Sequence, residues 1–198
     1  MKKKLFLPVL ILLLCFLVPV PLVAADEVPL VYDEAFLLSD NEYYELNNRA
    51  EEISNRYACE IRVVVLEDMA GSNAYEVARN IYEDYDFGYG ADKSGLLLML
   101  SMAARDYALV AYGYGNTAFT DYGKDVLMDT HVLPLLADNE YYKAFSAYLD
   151  TADEYLKMAR EGTPFDEATD PEKGKKSFWI RLAVTLLLPL LVAGAVCW

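Results

Sequence analysis

Gly95-Leu96-Leu97-Leu98-Met99-Leu100 is an unbroken apolar run, and its reading decides the fold. A strand covered by helices on both faces looks like this, because neither of its sides meets water. A short turn around Ala103 and Ala104 leads to residues 107–112, which read as a second strand. The connection is too short for a crossover helix, so the two strands are expected to form an antiparallel hairpin.

Working outward, residues 59–66 are short and β-branched and read as another strand. Before it, Tyr43, Leu46, Ala50, Ile53 and Tyr57 recur at helical spacing, so residues 40–57 read as an amphipathic helix. Ser39 and Glu42 form the S-x-x-E capping box that would start it. Asn73 and Glu76 have the same spacing ahead of the stripe Ala74, Val77, Ala78, Ile81 and Tyr85. Thr120 or Asp121 would cap a helix running to about Val132, with Pro134 disturbing its end. A last helix is expected from about Glu140 to Arg160, stopped by Gly162. The pentapeptide Asp-Asn-Glu-Tyr-Tyr occurs at 40–44 and 138–142, opening a helix each time. The order αβαββαα predicts a three-layer α/β/α sandwich around a mixed sheet of about four strands.

The ends carry a different message. Lys2, Lys3 and Lys4 precede an apolar run to Ala25, and Val23-Ala24-Ala25 is a small-residue cleavage pattern. Residues 1–25 therefore read as a signal peptide. Residues 178–198 form a second apolar run with only Arg181 charged, long enough for a transmembrane helix. Lys173, Lys175, Lys176 and Arg181 precede that span, and the positive-inside tendency alone would hold their side in the cytoplasm. The signal decides for export. The expected layout is a signal at 1–25, a domain at 26–162, a polar linker at 163–177 and an anchor at 178–198. That places the domain on the extracytoplasmic face of the cell membrane.

All 31 acidic residues and 10 of the 17 basic ones fall in residues 26–172, a formal charge of −21. Such a domain does not bind nucleic acid, which needs Lys and Arg against phosphate. It repels anionic substrates and favours cations. Cys59 is the lone cysteine between the two apolar runs, so no disulfide staples the domain.

Several motifs fail on context. Gly113-x-Gly115-x-x-Ala118 follows a strand and precedes a helix, but no second strand follows to complete a dinucleotide unit. His131, the one histidine, reads as a packed helix residue, and Cys59 as inert core. No EF-hand loop is present. Carboxylates in loops are the better lead. Asp84, Asp86 and Asp92 surround Gly88-Tyr89-Gly90, Asp121 and Asp125 start a helix, and Asp33 precedes the first one. Oxygens from separate loops suit Ca²⁺, which tolerates irregular geometry. N-capping is the competing reading, and for Asp121 it is the stronger one.

Together these residues resemble the TPM-domain family over 30–160. The resemblance is carried by Val31-Tyr32-Asp33, Tyr85-Asp86-Phe87-Gly88, Asp92-Lys93-Ser94-Gly95 with the following leucines, Arg105, Gly113-Tyr114-Gly115 and Thr120-Asp121. It implies an α/β/α sandwich and a divalent cation, usually calcium, held by the matching aspartates Asp33, Asp92 and Asp121. It also implies either an accessory or assembly role beside a membrane-protein partner or, as the alternative, a metal-dependent acid phosphatase. Thr117 stands where the family often has an acid, which removes one ligand. The accessory role is favoured: no nucleophile and base are paired, and Lys93 and Arg105 are the only basic residues near the motifs. Tyr89, Tyr112, Tyr114 and Tyr122, clustered around these motifs, would supply recognition surface.

Overall fold

The computed structural model describes residues 28–173 and 175. In chain order these form β1 (Val31–Asp33), α1 (Asp40–Tyr57), β2 (Glu60–Leu66), α2 (Ala74–Asp84), β3 (Gly95–Ser101) and β4 (Asp106–Tyr112). There follow α3 (Gly115–Ala118), α4 (Asp121–Val126), a π-helical turn (Leu127–Val132), α5 (Leu133–Ala137) and α6 (Tyr141–Arg160). The strands lie in the order β1-β2-β3-β4; β1, β2 and β3 are parallel and β4 is antiparallel to β3. The expected mixed sheet and hairpin are both present. The expected signal and transmembrane segment lie outside the described residues, among which no helix is long and apolar enough to cross a membrane.

Every residue of β3 is buried. Leu96, Leu98 and Leu100 point to one face, with Ile61, Val63, Leu46, Ala50, Phe145, Leu149 and Leu156. Leu97 and Met99 point to the other, with Val64, Ala74, Ala78, Tyr82 and Val110. So α1 and α6 cover one face and α2 the other. Both β1-α1-β2 and β2-α2-β3 step to the next strand in the same direction across the sheet. With their helices on opposite faces the two crossovers have opposite hand, and one is left-handed. About 98% of such connections are right-handed.

The local signals behave as their chemistry requires. Ser39 and Glu42 form the reciprocal box at the start of α1. Asn73 caps α2 through its side chain, accepting from the amides of Tyr75 and Glu76, without a returning Glu76 bond. Thr120, not Asp121, caps α4, its hydroxyl accepting from Gly123 N at 3.0 Å. Pro134 sits at the first turn of α5, where its missing N–H is tolerated. The disturbance falls upstream, as the π-helical turn.

The stretch expected to be linker begins as part of the domain. Phe165 is 8% exposed and stacks on Tyr155 at 4.3 Å. The Thr120 hydroxyl donates to Phe165 O at 2.7 Å, and Tyr122 OH to Asp170 Oδ2 at 2.5 Å.

Candidate functional site

The parallel strands define two poles. Chain entry and the end of α6 share the pole at the strands' N-terminal ends. There Arg62 donates to Val28 O and Pro29 O, and Arg160 donates to Tyr57 O. The opposite pole carries the loops after β1 and β2 and the β3–β4 turn.

Asp33 ends β1 at that opposite pole. Its Oδ2 accepts the amide of Leu38 at 3.0 Å and so shapes the loop into α1. Its Oδ1 is buried and has no hydrogen-bond partner among the described residues. A carboxylate oxygen in that state needs a cation or water to offset its lost hydration. The same loop holds Phe36 at φ 52, and this residue is 88% exposed.

Asp92 lies at the other pole. Through the register, Asp33 is level with Val65 and Leu100, whereas Asp92 precedes Gly95. The five residue steps from Gly95 to Leu100 span about 17 Å. Calcium ligands sit at roughly 2.3–2.6 Å from the ion, so one ion cannot touch both carboxylates. Asp92 has another task. Its Oδ2 accepts from the Ser94 hydroxyl at 2.9 Å, and Ser94 Oγ accepts the Tyr114 amide at 2.8 Å. That relay pins the Gly113-Tyr114-Gly115 turn to β3. The turn sits so close that a Cβ on Gly115 would lie 2.2 Å from Gly95 O.

Asp121 lies beyond β4, the far sheet edge from β1. It is exposed and paired with Lys124 at 2.8 Å, and that hydrogen bond lowers its pKa. The three aspartates expected to share an ion are therefore not brought together. Among the described residues no three His, Cys, Asp or Glu side chains are grouped closely enough to hold a metal.

Asp121 belongs instead to a groove of 500 Å³ beside β4. Asp106, Tyr107 and Leu109 line it from the strand, Asp125 and Asp129 from the helical side, and Tyr75 from α2. Lys124 is its one cation among the described residues. Burial and then the Asp129 and Asp125 charges raise the Tyr107 pKa. A second pocket, of 310 Å³ and mostly apolar, lies under the β3–β4 turn between Leu100, Met102, Leu133, Leu136 and Tyr141, with Arg105 at its edge.

The remaining candidates separate cleanly. Burial pushes the Cys59 thiol up to about 12, so it is inert core as expected. His131 is exposed rather than packed. Arg62, almost fully buried, is consumed by Glu60, two carbonyls and the face of Phe87 at 3.7 Å. Of the clustered tyrosines, Tyr112 stacks on Tyr82 at 4.3 Å, Tyr114 lies under Arg160 and Tyr122 binds Asp170. Tyr89 alone stands well out. Sequence reasoning missed the groove because Asp106 is separated in the chain from the helical stretch that carries Asp121, Asp125 and Asp129 and meets it only across a strand edge.

An α/β/α domain with a four-stranded mixed sheet and acidic loops is the class defined by this geometry. The sequence model of the TPM domain matches residues 31–155, more than half of the chain, and the chain belongs to the TPM-domain family. Solved structures share the fold. The N-terminal domain of a P. gingivalis protein is 24% identical, with a TM-score of 0.60, covering 72% of this chain and 91% of that one. The N-terminal domain of the cg2496 protein of Corynebacterium glutamicum is 14% identical, with a TM-score of 0.52, covering 67% and 84%. The BA42 protein of Bizionia argentinensis is 15% identical, with a TM-score of 0.51, covering 69% and 90%. No functionally curated protein matches the chain.

Proposed function

We propose that the protein is a membrane-anchored, extracytoplasmic accessory domain that engages a membrane-protein partner with the pole remote from Val28 and the end of α6. The observation that carries this is Phe36. An aromatic ring standing almost wholly in water loses hydrophobic stabilisation, and a non-glycine residue at φ 52 costs about 1–2 kcal/mol more. Strain and exposure held together by a neighbouring Asp33 hydrogen bond are expected where a ring anchors a partner. In this reading the run at 1–25 supplies export and the run at 178–198 the anchor, and the −21 domain charge suits a cation and disfavours an anionic substrate.

A divalent cation, calcium by preference, belongs in this proposal to Asp33 alone, whose Oδ1 lacks a partner. Asp92 and Asp121 are occupied elsewhere. Calorimetric titration of the full chain in detergent with Ca²⁺ and Mg²⁺ tests this. Saturable Ca²⁺ binding that survives Asp121→Asn and disappears in Asp33→Asn is expected; binding unchanged in Asp33→Asn sinks the assignment.

The accessory role is tested in native membranes with a photo-crosslinking residue at position 36 and a control at Glu167, near the other pole. One discrete adduct from 36 and none from 167 is expected. Adducts from neither, together with Ca²⁺-dependent turnover of p-nitrophenyl phosphate, would establish the phosphatase alternative instead.

A further inference from the structure

The two edges of the sheet are treated differently. At β1, Asn47 reaches over from α1 and occupies the outward groups of Val31, accepting its N–H at 3.0 Å and donating to its C=O at 3.3 Å. That edge is closed to another strand. At β4 no such plug exists among the described residues. Ser94 O points to β2, where it accepts from Glu60 N, so by strand alternation Gly95, Leu97, Met99 and Ser101 point to β4. Their partners Tyr112, Val110, Ala108 and Asp106 point back. Tyr107, Leu109 and Ala111 therefore turn their N–H and C=O groups outward. The Tyr107 amide is satisfied by its neighbour Asp106 at 2.9 Å. The outward groups of Leu109 and Ala111 make no hydrogen bond among the described residues.

This open edge runs into the groove already described. Asp121, Asp125 and Asp129 stand along the helical wall four residues apart, with Asp106 on the strand and Tyr75 opposite. The carboxylates are too widely separated to grip one ion. Their spacing suits a longer cation. One helical step of four residues rises about 6 Å. Every second residue of a strand advances about 6.8 Å.

Resting on the accessory role proposed above, we infer that the open edge of β4 accepts an extended basic segment of the partner as a fifth strand. Main-chain hydrogen bonds to Leu109 and Ala111 supply the pairing, as in strand addition generally. Side chains of the added strand alternate between the two faces of the sheet. Those on the helical side are Lys or Arg, set against Asp121, Asp125 and Asp129. Those on the α2 side are uncharged and pack by Tyr75. A second copy of this chain fits poorly, since edge-to-edge pairing would bring the same carboxylates together.

The test uses the full chain in detergent micelles and a fluorescent probe peptide, Lys-Thr-Lys-Val-Lys-Thr. A control peptide carries proline in place of valine and an N-methyl group on the amide of the lysine before it, keeping the charge and removing one strand donor whichever way the added strand runs. Amide exchange of Leu109 and Ala111 is followed in parallel. Expected are salt-sensitive binding, at least tenfold weakening by the paired Asp125→Asn and Asp129→Asn changes, similar weakening for the proline peptide, and slowed exchange at both amides. Equal binding of the proline peptide would overturn strand addition. Slow exchange before any peptide is added would mean the edge is already filled by this chain or a second copy, and would overturn it too. Absence of binding at low salt overturns it outright. A persisting adduct from position 36 in that case would leave the accessory role standing.

Discussion

The carboxamide of Asn47 lies against Val31 as a neighbouring strand would, taking its N–H at 3.0 Å and giving to its C=O at 3.3 Å. The same Nδ2 also donates to Tyr43 O at 3.0 Å. A single side chain thus closes the edge of β1, the sort of device that keeps an edge from recruiting another chain.

Asn47→Leu would strip both partners from Val31 and leave part-buried polar groups unsatisfied. We expect a loss of about 1–3 kcal/mol, seen as a lower Tm. Concentration-dependent association should appear by light scattering. An unchanged Tm and a monodisperse sample would show that water replaces the carboxamide without penalty.

Gly115→Ala should damage the fold far more than its size implies. The new Cβ would meet the backbone of Gly95 at 2.2 Å, and a backbone buried in β3 cannot step aside. Gly71→Ala makes the comparison, because it has open space and only a positive φ of 76. Urea unfolding should give about 1 kcal/mol for Gly71→Ala. For Gly115→Ala the loss should be several times larger.

Phe165→Ala tests whether the start of the expected linker is structural. The ring stacks on Tyr155 and Tyr122 at 4.3 and 5.8 Å. Removing a near-buried phenylalanine should cost about 3 kcal/mol. A chain cut at residue 162 should lose a similar amount and gain protease sensitivity around Thr120. Equal stability of the cut and uncut chains would show the segment to be merely laid on the surface.

The Ser39 hydroxyl and amide lower the pKa of Glu42. A folded-state pKa below the ordinary 4.5 means that the carboxylate stabilises α1 above that pH. The contribution is lost as pH falls through the lower folded value. The stability gap between wild type and Glu42→Gln should therefore be present at pH 6 and shrink as the pH falls below the ordinary 4.5. Denaturant midpoints at a series of pH values measure it.

Much of the secondary structure was legible because its causes are local. The Ser39–Glu42 box, the helical stripe through Ile53 and the apolar run of β3 each act within a turn or a strand. Their observed bounds, Asp40–Tyr57 and Gly95–Ser101, follow from those residues. The candidate site was less legible. Asp33, Asp92 and Asp121 match the family's motif positions, but motif order does not say which strands run parallel and so which loops share a pole.

The amino-acid sequence by itself determined α1, α2, α6, the strands β2 to β4 with their hairpin and the acidic character of the domain, since propensity, capping and charge need only near neighbours; the three-residue β1 escaped it. Tertiary structure decided the rest. It put α1 and α2 on opposite faces, separated Asp33 from Asp92 by the length of the sheet, folded Phe165 back onto Tyr155 and gathered Asp106 with Asp129. These relationships depend on strand register and crossover hand. Both are set by the packing of residues far apart in the chain, where no local pattern reaches.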